Sequence, residues 1–107
     1  MTQQLTTGEV DIKVQKRNGQ TVEFNLFRIT SAIGNAFKAV HNVPRESDLP
    51  QEYLKEAIHV AGSVFRVLTA RAQTKNPLSV EEIQDEVVKQ LYDMGFRKVA
   101  ESYGDYR

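Results

Sequence analysis

The chain contains no cysteine. That absence removes a disulfide framework, a thiol nucleophile and any cysteine-ligated zinc site together. It has two histidines, His41 and His59, far apart in sequence, and no grouping of His with carboxylates has metal-ligand spacing. Glu82 and Glu86 stand four apart on a helical segment and read as one solvated helix face. Neither Gly-x-x-x-x-Gly-Lys-Ser/Thr nor Gly-x-Gly-x-x-Gly occurs, so the two common phosphate-cradling loops are missing. Ser, Thr and His offer no nucleophile-and-base grouping, and the chain does not read as an enzyme in its own right. No apolar run approaches the ~18 residues that a helix needs to span a bilayer. Met1-Thr2-Gln3-Gln4 does not open a signal peptide, so the expected address is cytoplasmic, with no membrane partner. Fourteen basic and fourteen acidic residues cancel. Bulk charge therefore gives no push toward DNA or RNA.

What is present is a single domain. A chain of 107 residues, 40% hydrophobic and 26% charged, is long enough for one core and too short for two. Residues 1–9 are expected to be a flexible lead-in and 10–107 the domain. From Val10 the pattern alternates, with Val10, Ile12 and Val14 set against Asp11, Lys13 and Gln15, which predicts a half-buried strand. A second strand follows from about Gln20 to Phe24. A two-residue Asn18-Gly19 turn would leave Val22 and Phe24 on the face opposite Ile12 and Val14. A three-residue loop, Arg17-Asn18-Gly19, pairs Lys16 with Gln20, Val14 with Val22 and Ile12 with Phe24. It puts every apolar residue on one face and gives Gly19 the left-handed position that such loops want. The same parity turns Lys16 to the covered side, where its ammonium either snorkels out or meets an anion.

Helical spacing takes over downstream. Ile29, Ile33, Ala36, Phe37 and Val40 form one stripe, with Asn25 as N-cap. Residues 41–50 form a connecting loop broken by Pro44 and Pro50. Leu54, Ala57, Ile58, Ala61, Val64, Phe65, Leu68 and Ala72 give a wide stripe in a second helix, closed by Asn76-Pro77. Ser79 and Glu82 make a capping box for a third helix, with Val80, Ile83, Val87, Leu91 and Met94 inward and Gly95 as its stop. A short last helix carries Phe96, Val99, Ala100 and Tyr103. The expected fold is α+β and mostly α: a bundle of about four helices capped by an N-terminal β-hairpin or small sheet.

The candidate site is the basic cluster at the two junctions. Lys16 and Arg17 end the first strand, and Arg28 lies near the first turn of the first helix. A helix N-terminus presents free N–H groups and the positive end of the dipole, which suit an anion. Arg28 works against that dipole, and a cation tolerated there points to an anion nearby. Asn25 either spends its side chain on capping or reaches a purine edge. Arg17 is either a solvated turn residue or an anion contact. Phe24 offers a ring or its backbone to a base.

Val14-Gln15-Lys16-Arg17-Asn18-Gly19, then Glu23-Phe24-Asn25, then Arg28-Ile29, resembles the opening of the ATP-cone domain: a Val-x-Lys-Arg-Asp/Asn-Gly hairpin, a Phe/Ile-Asp/Asn junction and a basic-Ile helix start. Ser79 to Val87 resembles the family's third-helix segment, and Val99-Ala100, Tyr103 and Tyr106-Arg107 resemble its end. The resemblance implies an allosteric regulatory domain that binds ATP or dATP as effector, with Mg2+ accompanying the nucleotide and no metal ligand from the protein. It implies the overall-activity site of a ribonucleotide reductase, with the reductase catalytic domain or subunit as partner. ATP would be permissive, and dATP inhibitory through a change of oligomeric state that brings in further copies. It also implies roles residue by residue. Lys16 and Arg17 would contact phosphates, and Arg28 would take the place of the usual first-helix Lys. Phe24 and Asn25 would hold the adenine, Val14 and Ile29 would line the base pocket, and Val80 or Gln84 would face the ligand from the third helix.

The family often carries an acidic residue three positions before the Asp/Asn; Val22 stands there in this chain, and Glu23 follows. The chain is read as a regulatory domain of a longer parent, with a standalone ATP-cone regulator or a helical interaction module with a vestigial pocket as alternatives. Nucleic-acid binding through Lys13, Lys16, Arg17 and Arg28 is opposed by zero net charge and by the acidic run Glu81, Glu82, Asp85, Glu86.

Overall fold

In the computed structural model, residues 11–106 are described; the lead-in at 1–9, the first strand residue expected at Val10 and the closing Arg107 lie outside them. The order is β1 (Lys13–Gln15), β2 (Thr21–Glu23), α1 (Leu26–Val40), α2 (Gln51–Ala72), β3 (Leu78–Ser79), α3 (Val80–Asp93) and α4 (Arg97–Tyr106). The fold is therefore α+β, with four helices and a small sheet at the N-terminal end. The α1 helix packs on α2 and α4, and α3 packs on the same two, so the helices close a four-membered bundle.

The hairpin has the register that burial parity demands. Val14 faces Val22 in the antiparallel pair, the Lys16 N–H donates to Gln20 O (2.8 Å), and the Phe24 N–H donates to Ile12 O (3.1 Å). Gly19 closes the loop at φ +89°, a conformation that residues with a Cβ avoid. Ile12 and Val14 are buried against the bundle.

A third strand completes the sheet. Leu78–Ser79 runs parallel to β1, with Val14 opposite Leu78 and Gln15 opposite Ser79, giving the order β2-β1-β3. Two residues are too few to show alternation, so this strand has no periodic signature. Asn76 extends the pairing with its side chain: it accepts from the Lys13 N–H (2.9 Å) and donates to Asp11 O (2.9 Å). That amide behaves as one more rung of the ladder.

The α1 and α3 helices begin at the caps that the sequence marks. The Asn25 carboxamide oxygen accepts from the Arg28 N–H (3.3 Å). Ser79 and Glu82 form the reciprocal capping box, both bonds at 3.0 Å, and Lys75 reaches the same Glu82 carboxylate. After α3, Gly95 at φ +88° turns the chain, and the Phe96 N–H donates to Leu91 O (2.8 Å), a left-handed C-terminal motif. The core runs through the bundle: Ile33 and Phe37 of α1, Val60, Val64 and Leu68 of α2, Val87 and Leu91 of α3, and Val99, Ala100 and Tyr103 of α4 are all buried. Phe37 also meets Phe96 edge-on, with ring centroids 5.2 Å apart.

Two expectations are corrected. On α2, Ile58 and Phe65 are not core residues, being 54% and 40% exposed, whereas Val60 is fully buried. This helix serves α1 on one side and α3 on the other. Its buried arc is therefore centred on Ala57, Val60, Ala61, Val64 and Leu68, and leaves Ile58 and Phe65 at its edge. Glu86 is not on a solvated face. It is 6% exposed, accepts from the Arg71 guanidinium (3.0 Å) and from Gln90 Nε2 (2.7 Å), and ties α3 to α2. A carboxylate withdrawn from water needs such partners.

Leu68→Ala is expected to lower unfolding free energy by about 2–5 kcal/mol through lost burial and a residual cavity, read from urea midpoints. A second expectation concerns acid. The hydrogen bond from Lys75, then that from the Ser79 N–H, hold Glu82 below its ordinary value of 4.5. The unfolded chain therefore takes up this proton more readily than the folded one. The associated stability is fully present above about pH 4.5 and is lost as the pH falls through the lower folded value. Glu82→Gln should flatten the fall of the urea midpoint over that window; an unchanged slope would show that Glu82 does not carry the effect.

Candidate functional site

The β-sheet, the N-terminal halves of α1 and α3, and Tyr103 of α4 enclose a pocket of about 550 Å3, within the range of small-molecule and cofactor sites. The hairpin walls follow from strand register, and those from α1 and α3 from helices whose starts are set by their caps. From the hairpin come Val14, Lys16, Val22 and Glu23, and from the strand-to-helix junction Phe24 and Asn25. The α1 helix supplies Arg28, Ile29 and Ala32, and α3 supplies Val80, Ile83 and Gln84. Alternation along β1 explains why Val14 and Lys16 arrive on the same side. Spacing of one turn explains Arg28 with Ala32, and Val80 with Gln84.

The floor is apolar: Val14, Phe24, Ile29, Ala32, Val80 and Ile83 supply aliphatic and aromatic surface. Phe24 is braced from behind by Phe65 of α2, their rings stacked at 6.0 Å. This contact gives the half-exposed Phe65 a packing role. The rim is cationic. Lys16 and Arg28 are both exposed at the pocket, and neither has an ion-pair partner among the described residues. Exposure at the mouth leaves the Lys16 ammonium within reach of water and of an anion alike. Both α1 and α3 begin here, so two sets of N-terminal N–H groups and two positive dipole ends converge on the same space. The first turn of α1 holds no acidic residue, whereas that of α3 holds Glu81 and Glu82.

Polar groups with free capacity mark the interior. The Gln84 side-chain oxygen is buried and has no hydrogen-bond partner, although Gln84 lines the pocket. Buried acceptors are normally satisfied, so a ligand N–H or O–H would complete it. Asn25, at the pocket edge, caps α1 through its oxygen, a bond that does not use its amide N–H groups. Glu23 also lines the pocket but is joined to Lys13, which pairs with Asp11 as well. The hydrogen bonds that the Lys13 ammonium donates to Glu23 and then to Asp11 raise it above its ordinary value. Lys13 in turn is the main group lowering Asp11.

Eight of the nine residues singled out in the sequence line this one pocket: Val14, Lys16, Phe24, Asn25, Arg28, Ile29, Val80 and Gln84. Arg17 does not. It turns to α3, where its Nε donates to Glu81 Oε2 (2.6 Å). Val22, Glu23, Ala32, Ile83 and Tyr103 complete the lining and were not singled out. Ala32 and Ile83 could have been found one turn from Arg28 and next to Gln84. Tyr103 carried no such signal, because it is brought in by the packing of α4. No helix among the described residues is long and apolar enough to cross a membrane.

A family model for the ATP cone domain matches residues 12–107. The chain is also similar to the ribonucleoside-diphosphate reductase subunit alpha of Chlamydia pneumoniae, with 34% identity over 94 residues, covering 88% of this chain and 9% of that protein. The subunit alpha of Chlamydia muridarum (strain MoPn / Nigg) is 30% identical over 99 residues, 92% of this chain and 10% of that one. The chain thus spans about a tenth of the length of these relatives. Domains of the matching family bind ATP or dATP as effectors, in keeping with a pocket that joins an apolar floor to a cationic rim. The chain belongs to the ATP-cone family of nucleotide-sensing regulatory domains.

Proposed function

We propose that this pocket is an ATP/dATP effector site and that the domain sets the overall activity of a ribonucleotide reductase to which it belongs. One observation carries the reading: two cations without ion-pair partners among the described residues, Lys16 and Arg28, stand over an apolar floor where two helix N-termini meet. A purine fits the chemistry of the floor, between Val14, Ile29 and Val80, with the Phe24 ring and the Asn25 amide at its edge. The phosphates fit Lys16 and Arg28, with Arg17 next along the chain. Gln84 supplies an acceptor for a ligand N–H or O–H. Among the described residues no group of three or more His, Asp or Glu could hold a metal ion, so Mg2+ would enter with the phosphates.

ATP and dATP differ by one 2′-hydroxyl. A hydrogen bond to it is worth roughly 0.5–1.5 kcal/mol, or about tenfold at the upper end. An effector changes a protein's state only through differential affinity for two arrangements. In this reading the hydroxyl shifts the hairpin or the number of bound nucleotides, and the exposed helical face used for association changes with it. ATP is permissive, and dATP drives an inhibited oligomer.

Titration calorimetry with ATP, dATP and GTP should show saturable adenine-selective binding. Lys16→Ala should weaken it about tenfold or more, as expected for a lost charge-assisted contact. Absence of heat and of any thermal shift with both adenine nucleotides would favour an interaction module with a relic pocket. In the parent protein, identical oligomeric states with ATP and dATP would overturn the switch. Gln84→Leu separates ligand contact from folding. Replacing an unpaired buried acceptor by an apolar group is expected to leave the melting temperature unchanged or raise it, while nucleotide affinity falls severalfold.

A further inference from the structure

Arg17 and Glu81 form an ion pair that links two walls of the pocket without lining it. Arg17 lies in the hairpin loop directly after Lys16, which lines the cavity, and Glu81 follows Val80, which lines it from α3. The Nε–Oε2 distance is 2.6 Å. Both side chains are open to water, at 62% and 55% exposure, and pairs in that setting are weak and readily exchanged. A terminal phosphate is the stronger partner for a guanidinium. It carries more charge than a carboxylate and accepts the planar fork through two parallel N–H donors.

We propose that the Arg17–Glu81 pair is an exchangeable clasp: Glu81 holds Arg17 when no ligand is present and yields it to the outer phosphates of a nucleoside triphosphate. This rests on the reading of the pocket as an adenine-nucleotide site. Glu81 then competes with every ligand long enough to reach Arg17, and with no shorter one. It is a specificity-determining residue that sets how strongly the site prefers a triphosphate to a monophosphate, although it touches neither itself. Exchange removes this tie between the hairpin loop and α3, so occupancy of the pocket by a triphosphate alters how the two are joined.

The test is a double-mutant cycle on the intact chain, with ATP and AMP as probes in titration calorimetry. Glu81→Gln keeps the side-chain shape and removes the charge; an unchanged far-UV spectrum and a cooperative melt establish that the variant folds. It should raise affinity for ATP about three- to fivefold, the worth of an exposed ion pair, and leave affinity for AMP unchanged. In an Arg17→Ala background the same substitution should have no effect on ATP. The clasp is overturned if Glu81→Gln leaves ATP affinity unchanged or lowers it, if AMP gains as much as ATP, or if the gain persists without Arg17. Failure of the unaltered chain to bind ATP would overturn the adenine-nucleotide reading and the clasp with it. Binding of ATP with no response to Glu81 would overturn the clasp alone.

Discussion

The structure depends on β1 being paired on both sides. Val14 has Val22 as its antiparallel partner and Leu78 as its parallel one. The same three-residue strand therefore holds the hairpin and the connection from α2 to α3. Because α3 begins at Val80, immediately after β3, this pairing fixes the first turn of α3 against the hairpin. Asn76 closes the arrangement from its side chain. The parallel pair thus sets Val80 and Gln84 across from Lys16 and Phe24, in addition to the packing of α3 on α2 and α4.

The centre of the bundle and the candidate site lie in different parts of the molecule. The bundle is held by buried side chains such as Phe37, Leu68 and Leu91 and by the Glu86 carboxylate secured to Arg71 across α2 and α3. The sheet end collects charge that the core does not use. Lys13, Arg17 and Lys75 are matched with Glu23, Glu81 and Glu82. Lys16 and Arg28 have no such match among the described residues, and they stand where two helix dipoles add to their field. A concentration of positive potential over an apolar floor costs stability in the absence of an anion. A polyanion bound at the head of these two capped helices would offset that cost, in keeping with the proposed site.

Much of the site was legible because local rules act over short distances. The hairpin register followed from parity alone, since only the three-residue loop puts Ile12, Val14, Val22 and Phe24 on one face, and Val14 does face Val22. Capping chemistry located the starts of α1 and α3, and the pocket lies between those starts. The phase of α2 was less legible. A stripe eight residues wide is compatible with several rotations of the helix, and neighbours on two sides chose the one that buries Val60 and leaves Ile58 and Phe65 at the edge. Glu86 was misread for the same reason: a carboxylate four residues from Glu82 gives no hint that Arg71 waits on another helix.

The order of the hairpin and the four helices, the turn geometry, the caps of α1 and α3 and the eight candidates that do line the pocket were set by the sequence through contacts within a few positions of one another, where backbone sterics and short hydrogen bonds leave little choice. Pairing between distant segments was decided only by the tertiary structure. The β1–β3 pairing spans more than sixty residues, as does the bond from Arg17 to Glu81, and Tyr103 reaches the pocket from the last helix. Those contacts depend on how the bundle closes around its core, a long-range packing event with no periodic trace in the chain. The turn residue Arg17 could equally have faced water or a phosphate. Its actual partner was chosen by whichever helix folding brought within reach of its guanidinium.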